Sequence, residues 1–352
     1  MNQIETLGIV GGNLLANMIC IEAKKRCIKT VLLEPELNNI AGETCDTHIT
    51  APITEDTIKR LALKTDAIIL CTGNPPVLSS KFMKEHVIYP SGDGLQLIGN
   101  RVHQLTAAEL CEVPTPKYYH QNNKLTFFKQ MEQIELPFRL YQIYENRYDV
   151  LDVYTKDDLE NFLFEIDESA IEWLIEEIND YDRFLSITAL KAGDKVCTYP
   201  VQEEVLNDEA VKYIYMPADV SKAMHTKLSR YAKKILKDSE TEGLFTFKFG
   251  VKRNRQVELM YINPGITVGD IATNHYTDLS VYEQFLNLIQ GLPIKDGEVI
   301  KPSTTIVIKE EDTKNIPKFP YHHYHLDRYN KLPVSLYTVS YTHLRAHETL
   351  AN

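Results

Sequence analysis

The chain has 352 residues, 43% hydrophobic and 25% charged, and a formal charge of -11, which suits a soluble globular protein of two or three domains. An acidic surface repels phosphate backbones, which argues against general nucleic-acid binding, and no run approaches the roughly 18 apolar residues that a membrane span needs. Six scattered cysteines without a CxxC pair or zinc spacing, and an N-terminus MNQIETLGIV without a basic and apolar leader, point to reduced thiols in a cytoplasmic protein.

Residues 5–98 alternate regularly: TLGIV, helix NLLANMICIEAKK, KTVLLEP, HIT, helix EDTIKRLAL, DAIILCT and HVIYP. Apolar β-branched runs between helical periods imply a parallel sheet covered by helices on both faces, so residues 1–98 are expected to form a Rossmann-like domain. The texture then changes. A helix over 101–111 stops at VPTP, whose prolines forbid its continuation. A helix near LTFFKQMEQ, a strand PFRLYQIY and a long acidic helical tract from Lys156 to Asp180 follow. In that tract Phe162, Ile166, Ala170, Trp173 and Leu174 fall on one face at helical spacing.

Residues 183–215 read as two strands joined by KAGDK. Helix SKAMHTKLSRYAKKIL, strands GLFTFKFGVKR and QVELMYINPG, and a helix near LSVYEQFLNLIQG come next. Strands with helices packed to one side predict an α+β domain over 99–298. A β-rich coda over 299–338 contains TTIVIK and YHHYHLDRY. The tail 339–352, VSYTHLRAHETLAN, resembles translated adapter or vector DNA, so the natural chain is expected to be cut near Tyr337.

Six ordered segments carry a resemblance: GIVGGNLLANM, VLLEPE, CDTHI, NRVHQLTAAELCEVPTPKYY, IEEINDYDRFLSI with YPVQEEV, and NHYT ahead of SVYEQFLNLIQGLPI. They are similar to the purine-pathway ATP-grasp family of 5-(carboxyamino)imidazole ribonucleotide synthase. The resemblance implies an α/β and α+β fold, with a Rossmann-like pre-ATP-grasp domain, a central ATP-grasp domain and a small C-terminal β domain. It implies ATP and Mg²⁺ as cofactors, and carboxylation of 5-aminoimidazole ribonucleotide with bicarbonate activated as carboxyphosphate. It also suggests a homodimer with small-molecule nucleotide or ribonucleotide partners.

The family's residues carry over unevenly. Gly11 and Gly12 stand, but Asn13, Leu14, Ala16 and Asn17 replace Gly, Gln, Gly and Arg of the family's GGGQLGRM. Two glycines at a helix N-terminus suit either a residual anion site or a plain strand-to-helix turn. Asn74, Ser91, Asn274 and His275 persist as substrate-binding positions, while the family's two glutamates near Asn74 have become Cys71 and Gly73. For the nucleotide, Arg101, Glu176 and Glu177 persist. The two phosphate lysines fall on Leu105 and Tyr141, and the next acidic position falls on Phe184. Leu190 and Leu206 stand where an arginine and a histidine are expected, and the two metal-binding acidic positions land on Lys248 and Pro264.

The family's glycine-rich phosphate loop aligns with NRYDVLD. Independently of alignment, no glycine lies between Gly99 and Gly193, so no phosphate loop built on φ > 0 turns fits that span. These replacements count against ATP and Mg²⁺ alike, and no metal ligands are assigned. His323 and His325 of YHHYH share one strand face and His322 the other, without a cysteine or carboxylate at ligand spacing. Three functions follow from these residues: a carboxylating ligase, a degenerate member that retains a ligand-binding or interaction role, and a nicotinamide oxidoreductase using Gly11, Gly12 and Glu34.

Overall fold

Runs of four buried, mostly apolar residues at β1 (Thr6–Val10), β2 (Lys29–Leu33) and β4 (Ala67–Leu70) are covered on both faces, as parallel strands between helix layers must be. The computed structural model describes residues 4–72, 75–92, 94, 100–131, 134–144, 148–165, 170–207, 210–309, 323–329 and 332–340. Between β1 and β2 lies α1 (Leu14–Lys25), which starts where the Asn13 side chain accepts the Ala16 amide. With β3 (Thr47–Ile49) and β5 (Ile88–Tyr89) the strands form a parallel sheet in the order β3-β2-β1-β4-β5. Helices α2 (Ile40–Thr44), α3 (Glu55–Ala62) and α4 (Ser80–Glu85) complete this unit. Ile58, Leu61 and Phe82 bury one face, and α1 the other.

Helix α5 (Arg101–Leu110) is capped by Asn100 and leads into a four-stranded antiparallel sheet. Its strands, β6 (Tyr118–Gln121), β7 (Phe138–Ile143), β8 (Tyr148–Val153) and β9 (Glu172–Glu177), run in the order β6-β9-β7-β8. Helices α6 (Lys124–Met131) and α7 (Lys156–Glu165) belong to the same unit. The acidic tract is therefore not one helix, because α7 ends at Glu165 and the chain re-enters as strand β9. Trp173 and Ile175 bury one face against Phe127 and Phe138, while Leu174 faces the other way onto Leu105 and Tyr141. Three consecutive apolar residues buried on alternating faces suit a central strand, a pattern that helical spacing can imitate over a few residues. Ile166 lies outside the described residues.

Residues 183–216 supply four strands instead of two: β10 (Arg183–Ala192), β11 (Lys195–Thr198), β12 (Gln202–Asn207) and β13 (Ala210–Met216). Helix α8 (Lys222–Asp238) packs Leu228, Ala232, Ile235 and Leu236 onto this sheet. Strands β14 (Gly243–Val251) and β15 (Val257–Pro264), a short 3-10 turn (Val268–Ala272), α9 (Thr273–Tyr276) and α10 (Val281–Ile289) follow. The coda strands β16 (Ser303–Lys309), β17 (His323–Tyr329) and β18 (Leu332–Ser340) hydrogen-bond into the same sheet through β13, and β18 keeps its register to Ser340.

The parallel unit is clipped to this sheet by Ser91. Its amide donates to Glu242 O at 2.9 Å, its hydroxyl accepts the Glu242 amide at 2.9 Å, and its carbonyl accepts the Thr241 hydroxyl at 2.8 Å. Gly92 follows at φ +59°, and a Cβ there would lie 2.4 Å from the Glu240 carbonyl oxygen. Gly193 has a similar φ of +55° with nothing within 4 Å of a Cβ. Gly193→Ala should therefore show only the left-handed backbone cost of about 1–2 kcal/mol. Gly92→Ala adds a backbone collision and should cost at least about 1 kcal/mol more, read from urea midpoints. Equal losses in the two variants would show that the clip is not tightly packed.

Candidate functional site

The glycine turn after β1 holds Gly11 at φ +97°, where a Cβ would come within 2.9 Å of the Cys71 carbonyl oxygen. Only glycine fits both the angle and the approach. The amide of Gly12 donates to Glu34 Oε2 at 2.7 Å, and Glu34 Oε1 accepts the Glu36 amide at 3.0 Å. Glu34 thus supplies the anion that the turn would otherwise offer to a phosphate. A dinucleotide pyrophosphate would need the same amide, so the nicotinamide reading loses its anchor. Asn74 and Gly73 lie outside the described residues. Cys71 is buried, and burial pushes its thiol far above the ordinary range, which leaves no nucleophile there.

The nucleotide candidates meet one another. Arg101, buried, donates through Nε to Glu176 Oε2 at 2.9 Å and through Nη2 to Glu176 Oε1, and through Nη1 to Gln104 Oε1 at 3.2 Å. The Tyr141 hydroxyl reaches Glu176 Oε2 at 3.4 Å, and burial, then the Glu176 charge, pushes that phenol up to about 12. Both positions expected to carry phosphate lysines, Leu105 and Tyr141, instead pack together in one apolar cluster with Ile143 and Leu174. Glu177 is half-buried and forms an ion pair with Lys117 at 3.6 Å. Arg101 and Glu176 are both expected from the sequence as nucleotide-binding residues, but their pairing is not, because 75 residues separate them.

Along the floor of the large sheet, Leu185, Ile187, Phe245, Phe247 and Phe249 face the α8 core. Their alternates, Phe184, Ser186, Thr188 and Leu190 on β10 and Thr246 and Lys248 on β14, face the opposite side. Leu190 joins the core with α1 and α10. Thr188 and Gln202 donate to the buried Asp270 carboxylate at 2.8 and 2.7 Å, as does the Thr267 amide at 2.9 Å. Burial nevertheless pushes the Asp270 carboxyl up to about 6.

Further along, Lys248 Nζ pairs with Glu204 Oε2 at 2.6 Å and lies 5.6 and 5.5 Å from the Phe184 and Tyr261 ring centres. Burial pulls its ammonium down, but Glu204 and Tyr261 outweigh that and hold it above the ordinary lysine range. A divalent ion does not fit here, since an ammonium already neutralises the one neighbouring carboxylate. Pro264 is in register with Phe245 and so faces away from Lys248. Among the described residues no group of three or more His, Cys, Asp and Glu side chains could hold a metal. His323 and His325 stand on β17 opposite Thr338 and Leu336, and His322 lies outside the described residues.

Of the remaining substrate candidates, Asn274 is half-buried and His275 exposed, both on α9. Ser91 belongs to the clip described above. Among the described residues no helix is long and apolar enough to cross a membrane.

A parallel N-terminal sheet followed by two antiparallel sheets with helices packed on them is the architecture of an ATP-grasp protein. Residues 4–99 match the ribonucleotide synthetase preATP-grasp domain and residues 106–263 the ATP-grasp domain, and the chain belongs to this family. Within it, the chain is a divergent relative of N5-carboxyaminoimidazole ribonucleotide synthase. It is 22% identical over 332 residues to the Bacillus subtilis (strain 168) protein of that name, covering 89% of this chain and 83% of the relative. The fold matches the crystal structure of N5-carboxyaminoimidazole synthetase from Staphylococcus aureus with a TM-score of 0.84 at 19% identity, over 98% of this chain and 95% of that one. It also matches N5-carboxyaminoimidazole synthase from Aspergillus clavatus in complex with ADP and 5-aminoimidazole ribonucleotide, with a TM-score of 0.81 at 21% identity over 98% and 96% of the two chains.

Proposed function

We propose that this chain is a non-catalytic ATP-grasp protein that retains a ligand-binding cleft but does not carry out the ATP- and bicarbonate-dependent carboxylation of 5-aminoimidazole ribonucleotide. The observation that carries this reading is the apolar cluster of Leu105, Tyr141, Ile143 and Leu174. Phosphoryl transfer depends on fixed positive charge around the transferring group, and here both lysine positions are consumed by packing. The nearby Arg101 is spent on Glu176. A relative's ability to bind ADP and the ribonucleotide sets the ligand classes to test.

Each missing electrostatic contact of this kind lowers turnover by about 10²–10³-fold. With both lysines absent, ADP release from Mg-ATP with bicarbonate and 5-aminoimidazole ribonucleotide should fall at least about 10⁴-fold below ordinary turnover. Release on the order of 1–10³ per second would overturn the reading and restore the ligase assignment.

A further inference from the structure

The positive charge missing at Leu105 and Tyr141 has a counterpart at Lys248 on strand β14 of the large sheet. Lys248 is 13% exposed at its side chain, and its partner Glu204 is 5% exposed. An ammonium has three donors; Glu204 takes one of them at 2.6 Å and Tyr261 a second, which leaves one. Glu203, the neighbouring carboxylate, is occupied by Arg183 at 2.6 and 2.7 Å and does not compete for Lys248. Beside Lys248 on the next strand, in direct register, stands Ser186. Ser186 is 1% exposed, and its buried hydroxyl has no hydrogen-bond partner among the described residues. Registered side chains on neighbouring antiparallel strands have Cβ atoms about 4.5–5.5 Å apart, so Ser186 and Lys248 are neighbours on the face turned away from α8. A buried hydroxyl without a partner costs about 1–3 kcal/mol, a cost that an incoming acceptor would relieve.

We infer that Lys248 and Ser186 form a metal-independent site for the phosphate group of a small-molecule ligand, with the lysine as a built-in cation where the family resemblance calls for a divalent ion. The inference rests on the non-catalytic reading, since a working ligase would need the metal. A phosphate oxygen accepts from the spare Lys248 donor and from Ser186, while Glu204 keeps its own bond to the ammonium. Glu204 and the Phe184 and Tyr261 rings leave no set of oxygen ligands for a metal to join. The phosphate could come from a nucleoside diphosphate or from free pyrophosphate, which share this chemistry.

Isothermal titration of the full chain with ADP and, separately, inorganic pyrophosphate, each in EDTA and in excess Mg²⁺, tests the site. At least one probe should bind in EDTA, with an affinity that Mg²⁺ changes by less than about threefold. ADP binding alone assigns a nucleotide, and equal binding of pyrophosphate assigns the bare phosphate. Ser186→Ala should weaken binding about tenfold, a loss of about 1.4 kcal/mol. Because Lys248→Met alone strands Glu204, the paired variant Lys248→Met with Glu204→Gln serves as the lysine test and should abolish binding. Failure of both probes to bind in EDTA, a gain of tenfold or more with Mg²⁺, or unchanged binding in either variant would overturn the site. Such a failure without detectable ADP release in the carboxylation assay leaves the non-catalytic reading standing, whereas ordinary turnover removes both.

Discussion

Arg101→Met should destabilise the protein by about 3–5 kcal/mol, the range found when one partner of a buried ion pair is removed and the other charge is left in the interior. Both side chains are more than nine-tenths buried, at 7% and 8% exposure, so solvent gives Glu176 little relief. Gln104 loses the Nη1 bond at the same time. Removing both charges, with Arg101→Met and Glu176→Gln, should recover most of the loss, because the glutamine can still accept from the Tyr141 hydroxyl. Urea unfolding of the two single variants, the double variant and the parent closes a double-mutant cycle. A coupling below about 1 kcal/mol would mean that the pair is not what holds α5 to β9.

Asp270 should make stability fall with rising pH. Its carboxyl is pushed up to about 6 in the folded protein, with burial as the leading cause, against an ordinary value of 3.8. A raised carboxyl binds its proton more tightly when folded, so its contribution is full below about pH 4 and is lost as pH rises through about 6. The shift corresponds to roughly 2–3 kcal/mol at 1.36 kcal/mol per unit. Asp270→Asn should remove this slope, since an amide does not titrate. Its oxygen can accept from Thr188 and the Thr267 amide, and Gln202 can flip its own amide to accept from the new nitrogen. Parallel slopes for parent and variant between pH 4 and 6.5 would place the titration elsewhere.

The N-terminal sheet was legible because parallel strands buried on both faces write unbroken apolar runs, such as AIIL at β4, between helices of clear period. The β9 segment EWLIEE was not, because glutamates at both ends of a short apolar run suit an exposed helix face as well as a strand whose ends reach the cleft rim. The candidate site divides in the same way. Residue types at Leu105, Tyr141 and Lys248 are read directly and already show which charges are missing. The partners are not, since Lys248 with Glu204 and Arg101 with Glu176 lie 44 and 75 residues apart and meet only in the folded chain, the first pair across strand β10 and the second from helix α5 onto β9. The occupation of the Gly12 amide by Glu34 was hidden for a similar reason, because a carboxylate at the end of a second strand is equally ready to bind a ribose.

The Gln104 side chain has a consequence for solubility. Strand β15 ends the hydrogen-bonded order of the large sheet, and its backbone would offer a template to any other extended chain. Gln104 donates to the Ile262 carbonyl at 2.8 Å and accepts the Ile262 amide at 3.0 Å, as a neighbouring strand would, and Pro114 takes the Leu259 amide at 2.7 Å. One side chain and one loop carbonyl thus stand in for the missing strand. They protect a nine-stranded sheet from recruiting other copies edge to edge, a safeguard against aggregation that persists whether or not the cleft above it does any chemistry.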